Sequence, residues 1–187
     1  MGFAISWVGV ESNSKQAFLE KLKCEETEEI DACNEFPLTI ASRPTGSSIL
    51  WSNSFLFPSR KQLKKISTEI NLLHCQIEEH LMHSSAAMIE GGQEKWTLLH
   101  SSEQGLLHLD ASGPVPSEFS DIKQHLLKLQ EKEPPGSMGV DYIFDIPLEV
   151  AKSVCGFKHD EGKFEWGEPN FYRVRGPEKE SLFRKLF

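Results

Sequence analysis

Apolar residues follow several rhythms along this chain, and each rhythm predicts a kind of element. Phe3-Ala4-Ile5-Ser6-Trp7-Val8-Gly9-Val10 is β-branched, aromatic and nearly continuous in its apolarity, which suits a central strand covered on both faces. From Leu73 to His83 the rhythm is strict alternation. In a strand this sends Leu73, Cys75, Ile77, Glu79 and Leu81 to one face and His74, Gln76, Glu78, His80 and Met82 to the other. Ser84-Ser85 and then Glu90-Gly91-Gly92 supply loop and turn chemistry. A second strand returns over Glu94 to His100, Ser102-Glu103-Gln104-Gly105 makes a tight connection, and Leu106 to Asp110 reads as a third strand before Gly113-Pro114 ends the meander.

Helical spacing appears in four places. Ser12 to Ser14 caps a short helix with Phe18, Leu19 and Leu22 on one side, lost around Cys24. Ser59 and Gln62 have the form of a capping box, ahead of Leu63, Ile66 and Ile70, with Arg60, Lys61, Lys64 and Lys65 on the outer side. Ser117 opens a helix with a Phe119, Ile122, Leu126 and Leu129 stripe, which Pro134-Pro135-Gly136 stops. The last helix takes Asp145 as N-cap, Pro147 in its first turn, Val150, Ala151 and Val154 inward, and Gly156 at its left-handed end. Between the first two helices, Pro37 to Ala41 and Ser48 to Asn53 form a hairpin around Arg43-Pro44-Thr45-Gly46. From His159 onward glycine, proline and charge interrupt every period, leaving the Leu182-Phe183 and Leu186-Phe187 pairs as one amphipathic turn that can dock.

The order strand, helix, strand, strand, helix, strand predicts an α+β protein. Its core is a ferredoxin-like split βαβ unit, extended to a five- or six-stranded, mainly antiparallel sheet with helices packed on one face and two C-terminal helices. Residues 1–158 form a single domain in this reading, and 159–187 an irregular C-terminal extension. A length of 187 residues with 39% hydrophobic and 26% charged residues fits one well-buried core.

Charge narrows the function. Twenty basic against twenty-eight acidic residues give a net charge of −8, which argues against nucleic-acid backbone binding and for an acidic surface that meets a basic protein. The acids concentrate between Glu25 and Glu35, read as a solvated loop in which Glu25, Glu26, Glu28 and Glu29 are candidate partner contacts. Cys24, Cys33, Cys75 and Cys155 form no CxxC pair and are read as reduced thiols. Gly2 to Val10 is too short to span a membrane and carries no basic leader, so it reads as a strand and not a signal, in a soluble cytoplasmic protein.

Candidate chemistry lies on the alternating strand. Glu78 and His80 leave one face with Cα atoms about 6–7 Å apart, near enough to share a metal if His100 or His108 supplies a third ligand from a neighbouring strand. No HxH or HExxH spacing supports this, so no metal or cofactor is expected. Glu79 is the unusual residue, because alternation places its carboxylate among apolar side chains, where it must find a partner, sit at a bulge or change its pKa. Met1 to Trp7, Gln76 to Ser85 and Val140 to Pro147 together resemble a bacterial family of small uncharacterised proteins, over roughly residues 1–160. The resemblance implies a bacterial cytoplasmic protein and brings no activity or catalytic residue. The expectation is a non-catalytic interaction module, immunity-like or regulatory. The alternatives are a small metal-assisted hydrolase using Glu78, His80 and a cross-strand histidine with Glu79 as acid or base, and a module that only dimerises.

Overall fold

The apolar N-terminal run becomes the centre of one large sheet. The computed structural model describes residues 2–33, 35–43, 46–133, 140–164 and 166–176. The strands are β1 (Ala4–Glu11), β2 (Glu25–Ile30), β3 (Leu38–Ser42), β4 (Ser47–Ser52), β5 (Leu72–Glu78), β6 (His83–Glu90), β7 (Gln93–Ser101), β8 (Asp110–Ser112) and β9 (Tyr172–Arg175). The helices are α1 (Lys15–Leu22), α2 (Arg60–Ile66), α3 (Phe119–Gln130) and α4 (Tyr142–Cys155). The nine strands run in the order β2-β9-β3-β4-β1-β5-β6-β7-β8, with every ladder antiparallel. β1 is thus the middle strand, and six of its eight residues are buried.

Period-two alternation sorts the core into two layers. Ile5 and Trp7 point to one face, where Ile49, Trp51, Leu73, Cys75, Ile77 and Leu98 meet Phe144, Leu148 and Ala151 of α4. Val8 and Val10 point to the other, where Ile40, Leu50, Leu72 and Ile89 meet Phe18, Leu19 and Leu22 of α1 and Leu63 and Ile66 of α2. Helices therefore cover both faces, where packing on one was expected, and among the described residues nine strands replace the expected five or six. The reason is that α4 is apolar nearly all round, with eight of its fourteen residues buried. It lies against the sheet and also carries α3, through Leu126, Ile143 and Ile146.

Several boundaries differ from the sequence reading. The Glu25–Ile30 acids form an edge strand rather than a loop, because β9 pairs with them. β9 in turn lies within the segment expected to be irregular, inserted between β2 and β3. Ser84 and Ser85, expected in a loop, are buried inside β6, and Leu106 and Leu107, expected in a strand, are 74% and 66% exposed. The capping box of α2 forms as expected, with Gln62 N donating to Ser59 Oγ. α4 begins earlier than expected, with Asp141 and not Asp145 as its N-cap and Pro147 beyond its first turn, and Val154 is exposed. Gly156 closes it at φ 70, beneath the Arg43 guanidinium, which donates to the Cys155 carbonyl. Pro44-Thr45, Pro134-Pro135-Gly136 and the Leu182 to Phe187 turn lie outside the described residues. Among the described residues, no helix is long and apolar enough to cross a membrane.

Candidate functional site

The Glu78-Glu79-His80 segment is where β5 stops. Glu78 Oε1 accepts from the His80 amide at 3.3 Å and lies 3.0 Å from His80 Nδ1. That local bond turns the backbone into a single 3₁₀ turn over Glu79–Leu81, and Met82 then takes a left-handed conformation at φ 44 before β6 begins. Glu79 consequently never joins the strand. It was expected on the buried face, but its side chain is 32% exposed. A partner was expected too, and one is present, since Glu79 Oε2 accepts from Phe3 N at 2.9 Å, tying the N-terminal segment to the end of β5. Leu81, assigned to the same apolar face, is 56% exposed for the same reason.

The cross-strand histidine falls on the wrong side. Glu78 pairs with His83, and His83 with Ser101, whereas Ile77 pairs with Ser84, and Ser84 with His100. Directly paired residues share a face and neighbours alternate, so His100 projects opposite to Glu78. His108 lies outside any strand. Its Nδ1 accepts from Ser101 N at 3.1 Å, which leaves the proton on Nε2, 3.2 Å from Asp110 Oδ2. Glu78, His80, His100 and His108 do not converge, and among the described residues no group of three or more His, Cys, Asp or Glu is arranged to hold a metal ion.

His100 instead clamps two segments together. Fully buried, it donates from Nδ1 to the His108 carbonyl at 2.8 Å and sets Nε2 3.2 Å from Asp141 Oδ2. Burial pulls its pKa down, but the Asp141 carboxylate and the His108 carbonyl outweigh that and hold it above the ordinary value. Asp141 is pushed up by burial and drawn below its ordinary value by His100 and the amides that it caps. Beside this pair, Ser84 Oγ donates to the Phe144 carbonyl at 2.6 Å. With Nδ1 bonded to the His108 carbonyl, Nε2 facing the Asp141 carboxylate and the serine proton already committed, the arrangement is structural and not a nucleophile with its base.

Two ionic clusters escaped the sequence reading. Lys158, only 7% exposed, lies 3.1 Å from Asp145, 2.9 Å from Glu149 and 3.4 Å from Asp160. Burial alone would lower its pKa, but the three carboxylates raise it. On the other face Arg60, expected among the outward bases of α2, turns in to Gln76, Ser85 and Glu94. Beneath it His74 is wholly buried with neither ring nitrogen hydrogen-bonded, and burial, aided by Arg60, pushes its pKa well below the ordinary value. Alternation alone put His74 on a polar, half-exposed face; α2 covers it.

The acids of β2 are spread along the outer edge of the sheet. Glu26 pairs with Lys15 at 2.7 Å and Glu29 with Arg173 at 2.8 Å, while Glu25, Glu28 and Glu29 are exposed. A cavity of about 490 Å³ adjoins them, lined by Gln16, Leu19, Cys24, Glu25 to Glu28 and Tyr172. Past the strand, Asp31 Oδ1 accepts from the amides of Cys33 and Glu35, and Oδ2 from that of Phe36. Comparison with family models, curated proteins and solved structures finds no match.

Proposed function

We propose that this chain is a non-catalytic interaction module, immunity-like or regulatory, that presents β2 to a basic protein in the bacterial cytoplasm. The observation that carries the reading is that β2 bears Glu25, Glu26, Glu28 and Glu29 and, among the described residues, is an edge strand with no strand on its outer side. An edge offers unpaired backbone groups to an added strand, and four acids select a basic one. Self-pairing of two copies along β2 would set acid against acid, which favours a foreign partner over a homodimer. The hydrolase reading loses support because His100 faces away from Glu78. The four free thiols suit a reducing compartment. We also read the core as ferredoxin-like: the order β5-β1-β4-β3 with α1 and α2 on one face fits a split βαβ unit, with β9 and β2 added at one side and β6 to β8 at the other.

The test is capture from the source cell's lysate with wild type and the E25Q/E26Q/E28Q/E29Q variant in parallel, at low and high salt. A partner held by wild type, released by salt and weakened at least tenfold by the four substitutions supports the reading. A partner indifferent to both removes it. The variant breaks two surface ion pairs, each worth at most about 1 kcal/mol, so it remains folded.

A further inference from the structure

A cavity of about 520 Å³ opens beside the C-terminal end of α4. Its charged lining is Arg43, Glu149, Lys152, Glu161 and Lys163, and Ile122, Phe164 and Trp166 supply an apolar wall. Both acids are already engaged, Glu161 by Lys152 and Glu149 by Lys158. Arg43 and Lys163, by contrast, make no ion pair among the described residues. Two cations are thus left uncompensated at one cavity of a chain whose net charge is −8.

Arg43 is also pinned. Its Nη1 donates to the Cys155 carbonyl, the guanidinium lies so close over Gly156 that a Cβ there would come within 2.8 Å of Nη1, and its Cζ sits 5.5 Å from the centre of the Trp166 ring. Trp166 is fixed in turn, stacked on Phe164 at 5.0 Å and donating from Nε1 to the Gly156 carbonyl at 3.1 Å. The helix end therefore engages one N–H of the fork, and the side chain makes no other hydrogen bond among the described residues, its Nε included. A guanidinium held in place with donors and charge unmet is preorganised for an anion.

We propose that this cavity binds a small organic monocarboxylate, its carboxylate between Arg43 and Lys163 and its apolar body against Ile122, Phe164 and Trp166. A planar fork and one ammonium match a carboxylate in charge and geometry, and the volume lies within the range of small-molecule sites, which pair an apolar lining with a few placed polar groups. Glu149 and Glu161 stand in the same lining and repel a second negative charge, which favours a monoanion over phosphate. The site is independent of the β2 edge and of any protein partner there.

The probe is phenylacetate, titrated into the full chain and followed by amide NMR shifts, with phenylacetamide as its neutral counterpart and inorganic phosphate as an anion without an apolar body. Saturable shifts confined to residues 43, 122, 152–156 and 161–166, weaker with both comparison compounds and weakened roughly three- to tenfold in K163Q as expected for loss of one nearby charge, support the site. Failure to saturate, phenylacetamide or phosphate binding as tightly as phenylacetate, or affinity unchanged in K163Q overturns it. Lys163 is exposed, so K163Q folds. R43K keeps the charge and loses the fork, so it should bind phenylacetate more weakly than wild type with the α4 amide signals in place; binding equal to wild type would overturn the assignment of Arg43 as the anchor and the proposal with it.

Discussion

His74 and His100, on opposite faces of this sheet, have pKa values shifted in opposite directions, and the physical reason is whether burial brings a carboxylate with it. His74 is buried without a hydrogen bond and has its pKa depressed, so below about pH 6.5 the unfolded chain binds a proton that the folded one refuses. Its contribution therefore makes stability fall as pH drops through that window, by up to about 1.4 kcal/mol per pH unit. His100 works the other way, since its raised pKa gives stability that is present in full below about pH 6.5 and is lost as pH rises through the folded value. The difference between wild type and H74L isolates the first term. Urea unfolding between pH 7.5 and 5 should show the loss on acidification shallower in H74L, with stability at pH 7.5 within about 1 kcal/mol of wild type, because the imidazole removed makes no hydrogen bond. Parallel pH profiles for the two proteins would show that His74 is not the buried neutral group described.

At the scale of elements, one carboxylate decides where α4 starts. Asp141 Oδ1 accepts from Ile143 N at 3.0 Å and Phe144 N at 3.1 Å, while its other oxygen faces His100. Asp145, the cap expected from sequence, is engaged by Lys158 instead, and burial raises its pKa even against that cation. Replacing Asp141 by asparagine keeps an acceptor for the helix amides but removes the charge. The His100 ring should then titrate at lower pH in D141N than in wild type, read from its imidazole NMR signals. D141A should lose a further ~1 kcal/mol of unfolding free energy for the missing cap. An unchanged His100 titration in D141N would mean that the two groups do not interact. The wild-type pair stabilises between the two transitions, since Asp141, with a depressed pKa, contributes above the ordinary carboxylate value and loses this as pH falls.

At the scale of the whole molecule, the C-terminal segment holds the acidic edge in place. β9 bridges β2 and β3, with Val174 buried beside α1 and Phe171 buried on the opposite face, 6.0 Å from Trp51 and 6.1 Å from Phe157 between ring centroids. Truncating Phe171 to alanine should cost about 3–5 kcal/mol, measured by urea unfolding. L56A, at a side chain 73% exposed, should change stability by less than about 0.5 kcal/mol. A small effect at Phe171 would mean that β9 is an ornament on the sheet and not part of its core.

Sequence by itself determined what depends on neighbours in the chain. The central position of β1 followed from its continuous apolarity, the α2 capping box from Ser59 and Gln62, and the β3–β4 hairpin from its two short strands. The Leu73, Cys75, Ile77 face was also legible, because alternation holds for as long as a strand does. Only the tertiary structure decided where that alternation stopped, since Glu79 is held at the end of β5 by the remote Phe3, whose carbonyl accepts from the Glu79 amide and whose amide donates to its carboxylate. It also decided the fate of polar residues whose partners are remote in sequence. Glu25–Ile30 is a strand because β9 arrives from about 145 residues away, Ser84 is buried because the Phe144 carbonyl meets its hydroxyl, and His74 is sealed in because α2 crosses above it. Long-range pairing sets the worth of each of these groups, and a polar or acidic residue looks the same in sequence whether or not that pairing forms.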